Sequence, residues 1–235
     1  MKGRIIRPDE NNGVLNLPEI GRLHIGMKNE RGLPTSIDWF RPTGKYAELY
    51  KKYVGEKPST LTILFPYDDA EKVCNEEYVY RDDKGAKVAW GDGHTFHIWN
   101  GKKYVPCTID EYPDIMSKII DKFPTKRGAE NWDITLTLRF FIPALLPYVC
   151  GLWQFTTKGR ASSVLNIRDS FDSALEAFGT VTRTPFDLSV QFAKSNKPGV
   201  NSRYPVVSLI ANNSRVEELQ KVLAPMKNLV LMLSE

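Results

Sequence analysis

The chain contains few of the residues that most often carry catalysis or bind metal ions. Among its 235 residues are only three cysteines and three histidines. The cysteines are widely spaced and odd in number, which favours free thiols in a reducing cytoplasm over a disulfide framework. No His-Glu-x-x-His motif, nucleophile elbow or phosphate-binding Gly-x-x-x-x-Gly-Lys loop is present. We therefore predict that the protein is not an enzyme, has no catalytic residues and needs no cofactor or small-molecule substrate.

The chain also lacks a long apolar run and a large charge of one sign. Its most apolar stretch, 140–153, is interrupted by Pro143 and Pro147 and is too short to span a bilayer. The N-terminus has neither the apolar run nor the cleavage site of a signal peptide. A net charge of +4, with 42% hydrophobic and 26% charged residues, is ordinary for a soluble globular protein. We expect a cytoplasmic protein with no membrane partner, and the net charge does not decide between nucleic acid and protein as the partner.

The pattern of apolar residues predicts an α+β fold that begins with a turn-rich β region, 1–125. Hairpin signals at 82–85, 91–93 and 100–101 separate short strands, which indicates a β-meander. One helix is expected from about Pro113 to Phe123, and Pro124 ends it.

The second region, 132–235, has a more regular pattern. Alternating apolar residues predict strands near 134–142, 152–156, 186–192 and 204–210. A helix is expected from about Val164 to Phe178, closed by Gly179, with an apolar stripe formed by Ile167, Phe171, Ala174, Leu175 and Phe178. A capping box at 214–217 predicts a last helix. The order ββαββα favours an antiparallel sheet with helices packed on one face. The polar connector 126–131 is the best candidate for a boundary between the two regions, but we expect them to form one compact unit rather than two independent domains.

Two segments concentrate positive charge without any acid. The first contains Lys158, Arg160 and Arg168 together with Ser162 and Ser163, and the second contains Lys194, Lys197 and Arg203. Small hydroxyl residues beside cations at the start of a helix suit contact with phosphate or with an acidic partner. We predict that these eight residues contact the partner. The alternative is a pair of solvated loops.

A metal site is a weaker possibility. Cys74, His94, His97 and Cys107 offer two thiols and two imidazoles, which is a legitimate zinc set, but their spacing matches no compact zinc motif. Five aspartates fall at predicted turns, where local hydrogen bonding to the backbone is expected; they are Asp68, Asp69, Asp82, Asp83 and Asp92. We predict that no metal is bound.

The order of several short motifs resembles a known family. In chain order they are Phe65-Pro-Tyr-Asp-Asp69, Tyr78-Val-Tyr-Arg-Asp-Asp-Lys-Gly85, Gly91-Asp-Gly93, Pro106-Cys107, Leu136-Thr-Leu-Arg-Phe-Phe-Ile-Pro143, Gly151-Leu-Trp-Gln-Phe-Thr-Thr157 and Ser162-Ser-Val-Leu-Asn-Ile-Arg168. This order is similar to that of the phage recombination directionality factor-like family, and the resemblance covers about 61–210. Many relatives carry several cysteines between the Gly-Asp-Gly turn and the Leu-Arg-Phe strand. Here only Cys107 lies there, which argues against a metal site of the family type.

The resemblance implies a role in binding. Founding members of the family bind a large serine integrase seated on DNA and bias it from integration toward excision. The expected partners are therefore a serine integrase and DNA, contacted directly or through the integrase, in the cytoplasm of a bacterial host. The alternative is a single-stranded DNA-binding or replication accessory protein of a phage, because exposed aromatic residues on a sheet can stack on bases.

Overall fold

The structure is a computed structural model that describes residues 17–158, 162–182, 184–195 and 202–216. The strands are β1 (Glu19–Lys28), β2 (Pro34–Thr43), β3 (Thr60–Ile63), β4 (Cys74–Arg81), β5 (Lys87–Gly91), β6 (Thr95–Trp99), β7 (Tyr104–Thr108), β8 (Trp132–Phe140), β9 (Leu152–Thr157), β10 (Phe186–Lys194) and β11 (Arg203–Ala211). The α-helices are α1 (Ala47–Tyr53), α2 (Ala70–Val73), α3 (Ile115–Lys122) and α4 (Ser163–Phe178). Short 3₁₀ turns cover Gly128–Asn131, Pro143–Leu145 and Asn213–Arg215.

The strands form two sheets. Eight strands pair in the order β2-β1-β9-β8-β4-β5-β6-β7, and three pair in the order β11-β10-β3. Strands β1 and β9 run parallel, whereas the other neighbouring pairs are antiparallel. The predicted α+β class and the meander β4-β5-β6-β7 are confirmed.

The expectation of a single antiparallel sheet in the second region is wrong. Strands β8 and β9 belong to the large sheet, while β10 and β11 join β3 in the small one. The reason is that β1 and β3, which precede residue 65, pair with β9 and β10. The described elements after residue 131 follow the order ββαββ, and the predicted last helix falls mainly on residues outside those described. The connector 126–131 does not separate one sheet from the other.

The main core cluster lies where both sheets meet helix α4. Leu138 and Phe155 come from the large sheet, Leu188 and Val207 from the small sheet, and Phe171 from α4; all are almost fully buried. Apolar residues alternate with polar ones in β8 and β9, so each strand turns one face toward this core. One face of α4 packs on this core, and its buried residues Val164, Ile167, Phe171 and Ala174 form that face.

The end of α4 differs in part from its prediction. Gly179 has a φ of +72° and donates its N–H to Leu175 O at 2.9 Å, which confirms the helix cap. Phe178 is 48% exposed, however, although the spacing placed it in the buried stripe. It lies beside Ile210, another exposed apolar residue, at the groove between α4 and β11.

A second core cluster supports the meander. Ile115 and Ile119 of α3 pack with Tyr80, Phe96 and Trp132, and all five side chains are buried. The hydroxyl of Tyr80 donates to the carbonyl of Phe123 at 3.0 Å, at the end of the helix. The helix predicted between 113 and 123 is therefore confirmed, and it covers the meander half of the large sheet.

Candidate functional site

Two of the predicted partner-contact residues are paired with acids. Lys158 Nζ donates to Asp133 Oδ2 at 2.7 Å. The guanidinium of Arg168 lies 3.0 Å from a carboxylate oxygen of Asp169 and 3.4 Å from one of Glu76. The hydrogen bond with Asp169 is the main cause of a raised pKa at Arg168. The expectation of unpaired cations is wrong here. Asp133 of β8 and Glu76 of β4 are far away in the sequence, whereas Asp169 directly follows Arg168 in α4.

The two predicted serines have different environments. Ser163 is 2% exposed, and its Oγ accepts a hydrogen bond from the backbone N–H of Val207 at 2.9 Å. This bond holds the start of α4 against β11, and the Ser163 side chain is not at the surface. Ser162 precedes the helix, is partly exposed and makes no side-chain cap bond.

The remaining described cations lie together at one end of the small sheet. Lys194 and Arg203 face each other across β10 and β11. The guanidinium of Arg203 lies 5.5 Å from the ring centroid of Phe192, and within the described part of the chain neither cation forms an ion pair. Arg160 and Lys197 fall outside the described residues.

These residues are connected to the start of α4 along the chain or along β11. Ser163 fixes the helix start to Val207, which lies four residues along β11 from Arg203, or about 13 Å in an extended strand. Lys158 follows β9 directly and lies five residues before Ser163. We call Lys158, Ser162, Lys194 and Arg203 the α4-start surface.

A second polar surface was missed in the sequence analysis. Along β8, Thr135, Thr137 and Arg139 alternate with buried leucines, and they occupy the face opposite the main core. Pairing extends this face across the sheet. Arg139 lies opposite Gln154 of β9, Gln154 lies opposite Arg22 of β1, and Thr135 lies opposite Glu77 of β4. The polar alternation of β8 was visible in the sequence, but its continuation through four neighbouring strands depends on how the strands pair.

This polar face contains a cavity of about 330 Å³, which we call the sheet-face cavity. Strands β1, β4, β5, β8 and β9 all contribute side chains to its lining. Its charged and titratable residues are Arg22, His24, Glu77, Arg81, Lys87 and Arg139. Four permanent cations thus share the cavity with a single carboxylate, so the lining is strongly positive.

His24 is a titratable group of the cavity whose pKa the surroundings lower. Burial lowers its pKa below the ordinary value of 6.5, and the nearby Arg41 and Arg22 lower it further. Its Nε2 lies 3.0 Å from the hydroxyl of Thr43. Arg41 and Thr43 belong to β2, Arg22 belongs to β1, and β9 adds uncharged polar side chains to the same cavity. The imidazole is therefore held neutral at pH 7.

The free energy of unfolding should fall as the pH drops from 7.5 to 5.5, and His24 should account for part of the fall. Its folded pKa is below the unfolded value of 6.5, so the unfolded chain takes up more protons in this range. As the pH falls, the His24 contribution to the free energy of unfolding begins to decrease near the unfolded pKa and stops decreasing below the folded pKa. Urea unfolding of the parent and of His24→Gln at both pH values checks this, since the variant should lose less stability. Identical pH dependence in the two proteins would contradict it.

The residues of the weak zinc set are not brought together. Cys74 lies in the main core, whereas Cys107 packs against the meander core. His94 is exposed and lies 3.5 Å from Asp110, and His97 stacks on Trp90 with ring centroids 4.1 Å apart. Burial raises the pKa of the Cys74 thiol to about 12, which disfavours the thiolate that zinc requires. Within the described ranges, no group of three or more His, Cys, Asp or Glu residues is placed to hold a metal.

Protein purified without added zinc should contain well under one metal ion per chain, and a chelator should leave its melting temperature unchanged. Elemental analysis and thermal unfolding with and without the chelator measure both quantities. Stoichiometric zinc that disappears in Cys107→Ser would show that a metal site exists.

The fold and these surfaces define a mixed α+β protein whose exposed polar groups suit binding to a charged partner. The chain belongs to the recombination directionality factor-like family, since the Gp3-like family model of that description matches residues 20–212. The resemblance inferred from the motif order is thereby confirmed, and the match begins well before the first motif. No curated protein and no solved structure is significantly similar to the chain. Among the described helices, none has the length and apolar character needed to cross a membrane.

Proposed function

We propose that this protein is a non-enzymatic recombination directionality factor of a phage or mobile element. It binds a serine integrase seated on DNA and biases the integrase toward excision, in the cytoplasm of a bacterial host. Membership of the recombination directionality factor-like family is the observation that carries this proposal. The family name indicates an accessory role in recombination, and the partner and the direction of its effect are our inference.

We assign the contact with the integrase to the α4-start surface. Lys194 and Arg203 support this assignment because they lie side by side and have no ion pair among the described residues. Arg203 is also positioned over Phe192, which limits its conformational freedom. Free cations on a rigid sheet end can pair with carboxylates of a protein partner without first breaking an internal ion pair. Arg160 and Lys197, which neighbour this surface in sequence, belong to the same proposal.

Arg168 has a smaller part in this assignment. Its ion pair with Asp169 lies within α4, and its ion pair with Glu76 joins α4 to β4, so its first role is to hold the helix on the large sheet. Lys158 lies between the unpaired cations and Arg168 in its availability to a partner. Its ion pair with Asp133 is about half exposed, and such pairs contribute little to stability. A partner carboxylate can therefore replace Asp133 at little cost.

The test uses the serine integrase encoded by the same element, with its attachment sites. Recombination between the two hybrid sites left by integration should require this protein. Lys194→Ala combined with Arg203→Ala should fold normally, bind the integrase–DNA complex more weakly and show a smaller dependence of binding on salt. Lys158→Ala combined with Arg160→Ala should act in the same direction. Lys102→Ala is the matched control, because Lys102 is an exposed cation in the turn between β6 and β7.

Two results separate this proposal from its alternative. If the protein leaves integrase activity unchanged in both directions, the proposed function is wrong. If it then also binds single-stranded oligonucleotides in a salt-sensitive way, a replication accessory role is the better description. If excision is stimulated but all four basic substitutions have no effect, the function stands and the α4-start surface is not the contact.

A further inference from the structure

The groove between α4 and β11, which we call the α4–β11 groove, has apolar surface that the described residues leave exposed. Phe178 at the last turn of α4 is 48% exposed and Ile210 of β11 is 60% exposed, and both line this groove. The groove has a volume of about 600 Å³, and Asp169 is the only charged residue among the described residues that line it. We propose that the apolar run 229–233 of the C-terminal segment packs into this groove. The inference goes beyond the proposed function and does not depend on the integrase.

Strand β11 also has an open edge at this groove. It is the last strand of the small sheet, so within the described ranges no strand pairs with its outer side. The backbone N–H of Val207 points to that side, where the hydroxyl of Ser163 accepts from it. Alternate residues of a strand direct their backbone groups to the same side, so the N–H groups of Leu209 and Ala211, which line the groove, also point outward. An open edge beside exposed apolar side chains favours unwanted association, and proteins usually cover such an edge.

The helix side of the groove leaves room for large side chains. Before Phe178, α4 lines the groove with small residues, which are Ser170, Ser173, Ala174 and Ala177. Large apolar side chains pack well opposite small ones, because the two sets can interdigitate. Leucine and methionine are therefore suitable side chains for an occupant.

The C-terminal segment contains such side chains. Residues 229–233 have the sequence Leu-Val-Leu-Met-Leu, and no charged residue lies between Lys227 and Glu235. A run of five apolar residues favours association with other chains if it stays exposed to water. The run therefore needs an apolar surface to cover it, and the α4–β11 groove has one.

The place where the chain leaves β11 brings this run within reach of the groove. Arg215 pairs with Asp187 of β10 at 2.9 Å, and Asp187 lies opposite Ile210 in the sheet. Directly opposed residues of antiparallel strands are about 5 Å apart, so the segment begins close to the rim of the groove. An extended chain covers about 3.3–3.6 Å per residue, so residues 217–228 can span up to roughly 40 Å. This exceeds the roughly 18 Å that α4 covers from Asn166 to Phe178, so residues 229–233 can reach any part of the groove.

A second copy of the chain fits the groove less well than its own C-terminal segment. A stable interface between two proteins takes about 20–30 residues from each partner. Eleven described residues line the groove, and only Phe178 and Ile210 among them are large, exposed and apolar. A segment of the same chain loses less translational freedom when it docks, since its effective concentration at the groove is already high. A small apolar area can therefore hold the segment but not a second copy.

Photo-crosslinking of the purified full chain tests the proposal without integrase. Phe178 is replaced by p-benzoylphenylalanine, an equal mixture of ¹⁵N-labelled and unlabelled protein is irradiated, and crosslinked peptides are identified by mass spectrometry. We expect crosslinks to residues 229–233, with both peptides of each crosslink carrying the same label. The same replacement at Tyr104, which is 38% exposed in β7, is the matched control and should give no crosslink to this run.

A charge placed in the groove or in the run should release the segment. Ile210→Asp and Leu231→Asp should each speed tryptic cleavage after Lys221 and Lys227 by about tenfold or more, because a carboxylate is costly in an apolar contact and cleavage follows the population of the open form. Leu33→Asp is the matched control, since Leu33 is 58% exposed in the turn between β1 and β2, and its cleavage should equal that of the parent. Circular dichroism checks that each variant keeps the fold of the parent.

The proposal is overturned if the crosslinker at position 178 does not reach residues 229–233, or if folded Ile210→Asp and Leu231→Asp are cleaved at the rate of the parent. Crosslinks that join differently labelled chains would also overturn it and would make a second copy the occupant. Neither experiment uses integrase or DNA. A failure here therefore leaves the proposed function standing, and a failure to stimulate excision leaves this inference standing.

Discussion

Replacing Phe171 with alanine should lower the free energy of unfolding by about 3–5 kcal/mol. The side chain is fully buried in α4 and packs edge-to-face on Phe65, with ring centroids 5.1 Å apart. Its ring lies in the core cluster shared by both sheets, so few neighbours are free to move into the space that it leaves. The loss therefore combines the missing burial with the cost of a cavity. Urea unfolding of the parent and Phe171→Ala measures the difference directly.

Phe178→Ala is the matched control in the same helix. Phe178 is 48% exposed at the last turn of α4, so its removal should change the free energy of unfolding by less than about 1 kcal/mol. A similar loss in both variants would show that the two faces of α4 are assigned wrongly. An unchanged midpoint for Phe171→Ala would show that this face of the helix does not pack on the core.

Replacing Asp68 with alanine should cost about 3 kcal/mol, although the residue is at the surface. Its Oδ1 accepts from the backbone N–H of Val181 at 2.6 Å and of Thr182 at 3.1 Å. The hydroxyl of Thr180 donates to the same carboxylate at 2.9 Å. Hydrogen bonds to a charged group contribute more than neutral ones, and a buried donor left without a partner costs about 1–3 kcal/mol. Val181 is fully buried, so its backbone N–H is the donor that water would reach least easily after the carboxylate is lost.

The neighbouring Asp69 supplies the control for that measurement. It caps the short helix α2 by accepting from Glu71 N at 3.0 Å, and it pairs with Lys72 at 2.7 Å. Both contacts are local and exposed, so Asp69→Ala should cost about 1 kcal/mol or less. Equal losses at the two positions would show that the connection from α4 to β10 is not held by Asp68.

Asp68 and Asp69 also show that an aspartate at a predicted turn does not always bond the backbone of its own turn. Asp69, Asp82 and Asp92 bond backbone N–H groups within a few residues, as expected of aspartate in turns. Asp68 was assigned the same local role from its position in the sequence. It bonds a loop more than a hundred residues away instead, because β3 and β10 pair and bring that loop beside it.

The functional surfaces differ in how much of them could be predicted. The sequence predicts two separate basic segments, around Lys158 and around Lys194, because residue types and spacing are local properties of the chain. Two of their ion pairs could not be predicted, since Asp133 and Glu76 reach Lys158 and Arg168 from other strands. The sheet-face cavity was missed entirely. Its residues come from five strands, and only the pairing of those strands brings them together.

The local periodicity of the sequence was sufficient to predict most of the individual helices and strands of this protein. The alternation in β8, the stripe of α4 and the cap at Gly179 depend on neighbours within a few residues, where side-chain geometry and backbone sterics act directly. Local periodicity does not determine which strands pair, because an alternating strand presents the same apolar face to any strand that can cover it. Packing of the whole chain decides which strand faces bury the most surface together. It therefore sets the parallel pairing of β1 with β9, the pairing of β3 with β10 and the cationic cavity.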